Sequence, residues 1–197
     1  YQQFYNKLKK SGLVEKCAQY SILGQRYVDK DIIKIQEGHQ IEDYASGGCV
    51  EFIYVQKDLF DIYNIKIDPK VDQEDWSAGG VILGNKFKEK YEDAEFIDFM
   101  EGKCKLLGFV EDNQKLSFEE VAYKDGTALT GLYDLDFAFF YLFPEDSYTG
   151  FEIHYRLAKD VTREEFKGKV KEMAKKDNTE IISMYFIDEH LAELKKR

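Results

Sequence analysis

The sequence predicts an α+β fold, with an antiparallel sheet that carries its helices on one face. Three observations predict it. Hydrophobic residues make up 44% of the 197 positions and aromatic residues 15%, enough for a packed core and unlike the composition of a disordered chain. Alternating apolar runs interleave with segments whose apolar residues recur at helical spacing. Turn pairs such as Asp112-Asn113, Asp125-Gly126 and Asp177-Asn178 punctuate these runs.

The second half is the more legible. Residues 103–111 read as a strand. Ser117-Phe118-Glu119-Glu120 has the pattern of a capping box, with Leu116 and Val121 placed as a hydrophobic staple, and predicts a short helix over 118–124. Residues 132–143 come next as a long central strand whose odd positions, Tyr133, Leu135, Phe137, Phe139, Tyr141 and Phe143, form one apolar face. Residues 150–157 alternate as its hairpin partner. Thr162-Arg163-Glu164-Glu165 is a second capping box, stapled by Val161 and Phe166. The helix after it aligns Phe166, Val170, Met173 and Ala174. A strand over 180–187 and a terminal helix from Asp188 complete the order β-α-β-β-α-β, that of a ferredoxin-like unit, in which right-handed crossovers put both helices on one face.

The first half predicts helices over 2–10 and 13–20, a strand over 31–37, and a hairpin of 49–56 with 59–67. A loop comes next over 69–85, then a helix over 85–100. This allows a second, divergent α+β unit over 1–101 beside the ferredoxin-like unit of 102–197, the two able to pack as one domain.

Charge narrows the function classes. The chain has 38 Asp and Glu against 28 Lys and Arg, a net charge of −10. Only Arg26, Arg156, Arg163 and Arg197 are arginines. An acidic, arginine-poor chain disfavours nucleic acid and favours a basic protein partner. Cys17, Cys49 and Cys104 are odd in number and contain no CxxC pair, which argues against a disulfide framework or a zinc site and for reduced thiols. No apolar run is long enough to span a bilayer. Cytoplasm is the default location, a first residue Tyr1 being also compatible with a removed signal peptide. The Lys, Ile, Phe and Tyr bias suggests an AT-rich bacterial genome.

The candidate site lies on the expected hairpin. With Leu142 opposite Glu152, Phe140 opposite His154 and Ala138 opposite Arg156, the residues Asp134, Asp136, Glu152, His154 and Arg156 share a sheet face. That face offers a carboxylate and a histidine for acid–base work, or an arginine for an anion. Charge pairing on a solvated face is the commoner meaning of such a pattern. Trp76 reads equally as an interface anchor or a lid over the core. Gly47-Gly48-Cys49 reads as a turn before a buried thiol more than as a nucleophile, and Ser77-Ala78-Gly79-Gly80 with Gly84-Asn85 as turns more than a phosphate cradle. His39, His154 and His190 lack metal spacing, and the His190–Glu193 pair supplies too few ligands, so neither metal nor cofactor is expected. Lysines over 167–176 give a basic helix face, read first as solvated and second as a seat for an anionic patch.

These observations favour a non-enzymatic binding protein, a regulator, inhibitor or immunity-type neutraliser acting through protein contact. The alternative is a small-ligand protein or enzyme with a pocket against Ala138, Phe140 and His154, including a homodimer formed through that sheet face.

Overall fold

The structure is a computed structural model and describes residues 2–25, 30–36, 50–99, 102–120, 129–144, 152–181, 184 and 186. The chain is α+β, and it divides into two compact units, Cys17–Tyr155 and the pair of segments Tyr1–Lys16 and Arg156–Arg197.

The unit Cys17–Tyr155 is built on an eight-stranded sheet. Its strands are β1 (Val14–Gln25), β2 (Val50–Val55), β3 (Ile67–Pro69), β4 (Gly80–Leu83), β5 (Phe96–Phe99), β6 (Gly102–Val110), β9 (Phe139–Leu142) and β10 (Glu152–Leu157). β7 (Lys115–Glu120) and β8 (Leu129–Asp134) form a separate antiparallel pair. The strand order is β10-β1-β2-β9-β4-β6-β3, and β5 pairs with the first half of β6. The sheet is mixed rather than antiparallel throughout, because β2 runs parallel to β9 and β4 parallel to β6.

The apolar sequence of the central strands explains why cover lies on both faces. Val81, Ile82 and Leu83 of β4 and Phe139 and Phe140 of β9 are fully buried at consecutive positions. Successive strand residues point to opposite faces, so such a run demands a lid on each side. On one side, Ile53, Val55, Ile82, Phe140 and Leu142 pack with Leu59 and Phe60 of helix α3 (Asp58–Tyr63) and with Trp76. On the other, Phe52, Val81, Leu83 and Phe139 pack with Ile32 of α2 (Lys30–Gln36), Phe87, Tyr91 of α4 (Lys88–Tyr91), and Ile97 and Phe99 of β5. Helices on one face only, as expected from the second half alone, do not occur in this sheet.

Several expected elements are replaced. Residues 115–120 are β7, paired from Lys115 opposite Asp134 to Glu120 opposite Leu129, where the capping box predicted a helix; residues 121–124 lie outside the described ones. The long strand over 132–143 is broken by a 3-10 turn, Leu135–Phe137, which separates β8 from β9. The turn resets the alternation. Phe139, Phe140 and Leu142 are buried, while Phe137 and Tyr141 are half-buried. β10 pairs with β1 rather than with β9, so two strands separate them and the expected hairpin is absent. With Phe118–Glu120 in β7 and this hairpin absent, the described strands of residues 102–157 pair in a different order from the one expected. Strands from both sides of residue 101 pair in one sheet.

In the first half, 14–25 is strand β1 and 30–36 is helix α2, the reverse of their expected types. Residues 58–63 are α3, closed by Asn64 in the left-handed region (φ 54°), where a hairpin strand was expected. The expected loop over 69–85 contains a 3-10 turn, Gln73–Ala78, and the central strand β4. The expected helix over 85–100 is a single turn, Asn85–Phe87, then α4 and β5.

The other unit pairs α1 (Gln2–Lys10) with α5 (Arg163–Lys176). α1 buries Phe4, Tyr5 and Leu8, and α5 buries Phe166, Val170 and Ala174, the latter three at i, i+4 and i+8. The Thr162 side chain accepts from the Glu165 amide at 3.2 Å, as the capping box predicts. Lys7 and Asp177 form an ion pair across the two helices. Of the strand expected over 180–187, residues 180, 181, 184 and 186 are described and are not in strand; the terminal helix from Asp188 lies outside the described residues.

Candidate functional site

The constellation expected on one sheet face is dispersed. Asp134 and Asp136 hold the 3-10 turn after β8. The Asp136 amide donates to Asp134 Oδ1 at 3.1 Å, and Asp136 Oδ1 accepts from the Asn113 amide at 2.9 Å. Asp136 is only 8% exposed, so its placement on a solvated face is corrected: its carboxylate ties the turn after β6 to the start of β9. A carboxylate engaged by backbone amides is a structural group.

His154 is the centre of a separate cluster. Tyr63 at the end of α3 bonds His154 Nδ1, and His154 Nε2 faces Glu152 at 3.5 Å. Burial first, and the Glu152 charge second, push the Tyr63 phenol above its ordinary range. The phenol therefore keeps its proton, and its hydroxyl shares a hydrogen bond with His154 Nδ1. The rings of Tyr20 and Tyr63 stand edge-on to the imidazole at 4.8 and 5.5 Å between centroids. A Glu–His–Tyr chain has the parts of a proton relay. Here it ties α3 to the edge strand β10. Arg156 is half-buried on β10 and falls in the other unit.

Trp76 is 3% exposed and meets Phe60 edge to face at 6.2 Å, with Lys57 Nζ 5.7 Å from its ring centre. It is a lid of the core and not a surface anchor. The side of β9 expected to be open, Ala138 and Phe140, is fully buried under this layer, Phe60 and Phe140 lying 5.2 Å apart. Glycine at 80 and 84 answers to close packing: a Cβ would lie 2.7 Å from the Lys105 carbonyl at Gly80 and 2.3 Å from the Asp136 carbonyl at Gly84. The stretch, expected as turns more than as a phosphate cradle, is the entry to and exit from β4. Cys49, His39, His190 and Glu193 lie outside the described residues.

Two surface features stand out instead. The segment from α4 into β5 exposes Glu92, Asp93, Glu95, Phe96 and Asp98, with Phe96 46% exposed while its neighbours Ile97 and Phe99 are buried. Lys70 Nζ holds this segment through the Glu92 and Ala94 carbonyls. In the other unit, α5 and the chain after it border a cleft of about 550 Å³ lined by Lys167, Lys171, Lys175, Ala174, Ile181 and Met184 among others. The alternation of Phe96 and Asp98 against Ile97 and Phe99 was available in the sequence, but a helix over 85–100 concealed it.

Charge separates along the same division. Residues 17–155 hold 13 Lys and Arg against 28 Asp and Glu; residues 1–16 and 156–197 hold 15 against 10. The net −10 of the chain is therefore a strongly acidic unit and a basic one.

Among the described residues no helix is long and apolar enough to cross a membrane, and no cluster of three metal-ligating side chains occurs. No family model matches the chain, and no curated protein matches it. Among solved structures it is similar to the crystal structure of the periplasmic region of MacB from Actinobacillus actinomycetemcomitans, with a TM-score of 0.53, 13% identity, and coverage of 88% of this chain and 72% of that one. At that identity the likeness is one of fold.

Proposed function

We propose that this chain is a non-enzymatic binding module whose acidic unit contacts a basic protein surface. One observation carries the reading: an exposed phenylalanine, Phe96, set among four exposed carboxylates on a sheet-edge segment that Lys70 holds in place. Aromatic anchors inside charged rims are where binding energy concentrates at protein interfaces. Charge of this density speeds encounter with a basic partner and suppresses acidic ones. The enzyme alternative loses its support because the side of β9 that would have lined its pocket is packed core. The His154 cluster, its imidazole flanked by Tyr20 and Tyr63, serves better as a clamp than as a reaction centre.

For location, the fold shared with the periplasmic region of MacB supports a place outside the cytoplasmic membrane, which this reading adopts over the cytoplasm expected from composition. A regulatory or neutralising role toward a basic partner fits either compartment.

Replacing Glu95 with a photo-crosslinking residue in intact cells is expected to capture a basic protein. Binding of that protein, once purified, should weaken with added salt, and Phe96→Ala should lower its affinity at least tenfold. Captured partners that bind Phe96→Ala and Glu92→Lys/Glu95→Lys unchanged would refute the acidic surface as the contact. Labelling of Phe96→Cys by a membrane-impermeant maleimide in intact cells, in a Cys49→Ser/Cys104→Ser background, tests the location. Labelling only after lysis returns the protein to the cytoplasm.

A further inference from the structure

We infer that one basic surface this acidic segment fits is the lysine-rimmed cleft on a second copy of the same chain, so that the protein self-associates head to tail. The inference rests on the proposed role of the acidic surface and names a partner for it.

The cleft matches the segment in both charge and polarity. Lys167, Lys171 and Lys175 recur every fourth residue on α5 and give a row of ammonium groups spaced over about 12 Å of helix. Lys167 lies 4.9 Å from the Phe186 ring centre, and its neighbour Lys169 pairs with Glu165. Ala174, Ile181 and Met184 supply apolar lining beside that row. The segment Glu92–Asp98 offers the complement, a single exposed aromatic ring among four carboxylates. A phosphate-bearing ligand would need neither the apolar lining nor lysine in particular, since arginine is the residue that clamps phosphate bidentately.

The two patches are different surfaces, so the contact is heterologous. After one contact forms, the pair as a whole retains one free cleft and one free segment, and the assembly grows beyond a dimer unless its rotation closes.

Sedimentation equilibrium of the full chain tests this. The expected result is a mass that rises with concentration at low salt and falls to that of the monomer at high salt, where the Debye length shrinks to about 3 Å at 1 M. Lys171→Glu/Lys175→Glu should weaken association at least tenfold, and so should Glu92→Lys/Glu95→Lys. Mixing the two charge-reversed variants should restore it, because each then offers the other a complementary pair. Phe96→Ala and Lys171→Ala, milder changes with circular-dichroism melts as the folding control, should each weaken it severalfold. A monomer mass at every salt and concentration would overturn the inference. So would a cleft variant that associates like the parent. If in that case Phe96→Ala still weakens binding to a photo-captured partner, the acidic surface keeps its role and only the second copy is excluded.

Discussion

Two segments of this molecule share the pattern Ser/Thr-x-x-Glu behind an apolar residue, and one is a helix while the other is a strand. Thr162 caps α5 through the Glu165 amide and opens a helix of 14 residues. Ser117 lies inside β7, paired with Leu132 of β8. The residues downstream of each cap make the difference. After Thr162, Phe166, Val170 and Ala174 recur along one face, and α1 lies against it with Phe4, Tyr5 and Leu8 buried. After Ser117, only seven residues precede Asp125-Gly126, too few to repay helix nucleation without a long buried stripe. Leu116 meanwhile reaches the core of the large sheet, and residues 129–134 offer a ladder. A cap contributes about 1 kcal/mol, which long-range pairing outweighs.

The comparison is sharpest where burial is largest. Phe166→Ala should destabilise the protein by about 3–5 kcal/mol in denaturant unfolding, since the buried stripe rather than the cap sustains α5. A near-neutral result would mean the helix stands without its stripe. Leu116→Ala should cost about 2–5 kcal/mol by the same measurement, because burial of this side chain anchors β7. Thr162→Ala should then cost about 1 kcal/mol, and Ser117→Ala less than about 0.5 kcal/mol, a strand having no N-terminus to cap. Equal losses at both positions would erase the distinction between the two boxes.

An effect of the size of the Thr162 cap concerns the clamp that long-range packing builds around His154. Tyr63 has its pKa raised above 10.0 in the folded protein. The folded state thus holds this proton longer than the unfolded chain does. Its stabilising contribution is complete below pH 10.0 and is lost as pH rises from there through the folded value. Tyr63→Phe should lower stability at pH 7 by about 1 kcal/mol, the net value of one hydrogen bond. It should also make the decline above pH 10.0 shallower than in the parent. Parallel alkaline limbs for the two proteins would show that the phenol does not contribute in this way.

The same distinction runs through the site. Charge was legible: an acidic, lysine-rich and arginine-poor surface emerges from counting residues, and the lysine row after Thr162 from helical spacing. Phe96 was not, because residues 85–100 carry apolar groups compatible with two periods, and only pairing of β5 with β6 chooses between them. The hairpin that would have joined Asp136, His154 and Arg156 failed for a related reason. β9 alternates well enough to pair with any neighbour, and it takes β2 and β4, which cover its backbone on both sides. His154 gained partners from α3 and β1 that no local pattern could indicate.

By itself, the sequence determined the class of structure, the stripe and cap of α5, helix α1, strands β2 and β6, and the sign of the surface charge. Each of these depends on residues within about a helical turn or a strand's length of one another, or on composition alone. Only the tertiary structure decided which of the remaining apolar runs are strands, that β2 runs parallel to β9, that both faces of the sheet are covered, and where acid and base segregate. The reason is that strand pairing is satisfied by residues remote in sequence. A short apolar run has little local free-energy preference of its own, and the neighbour that buries it makes the choice.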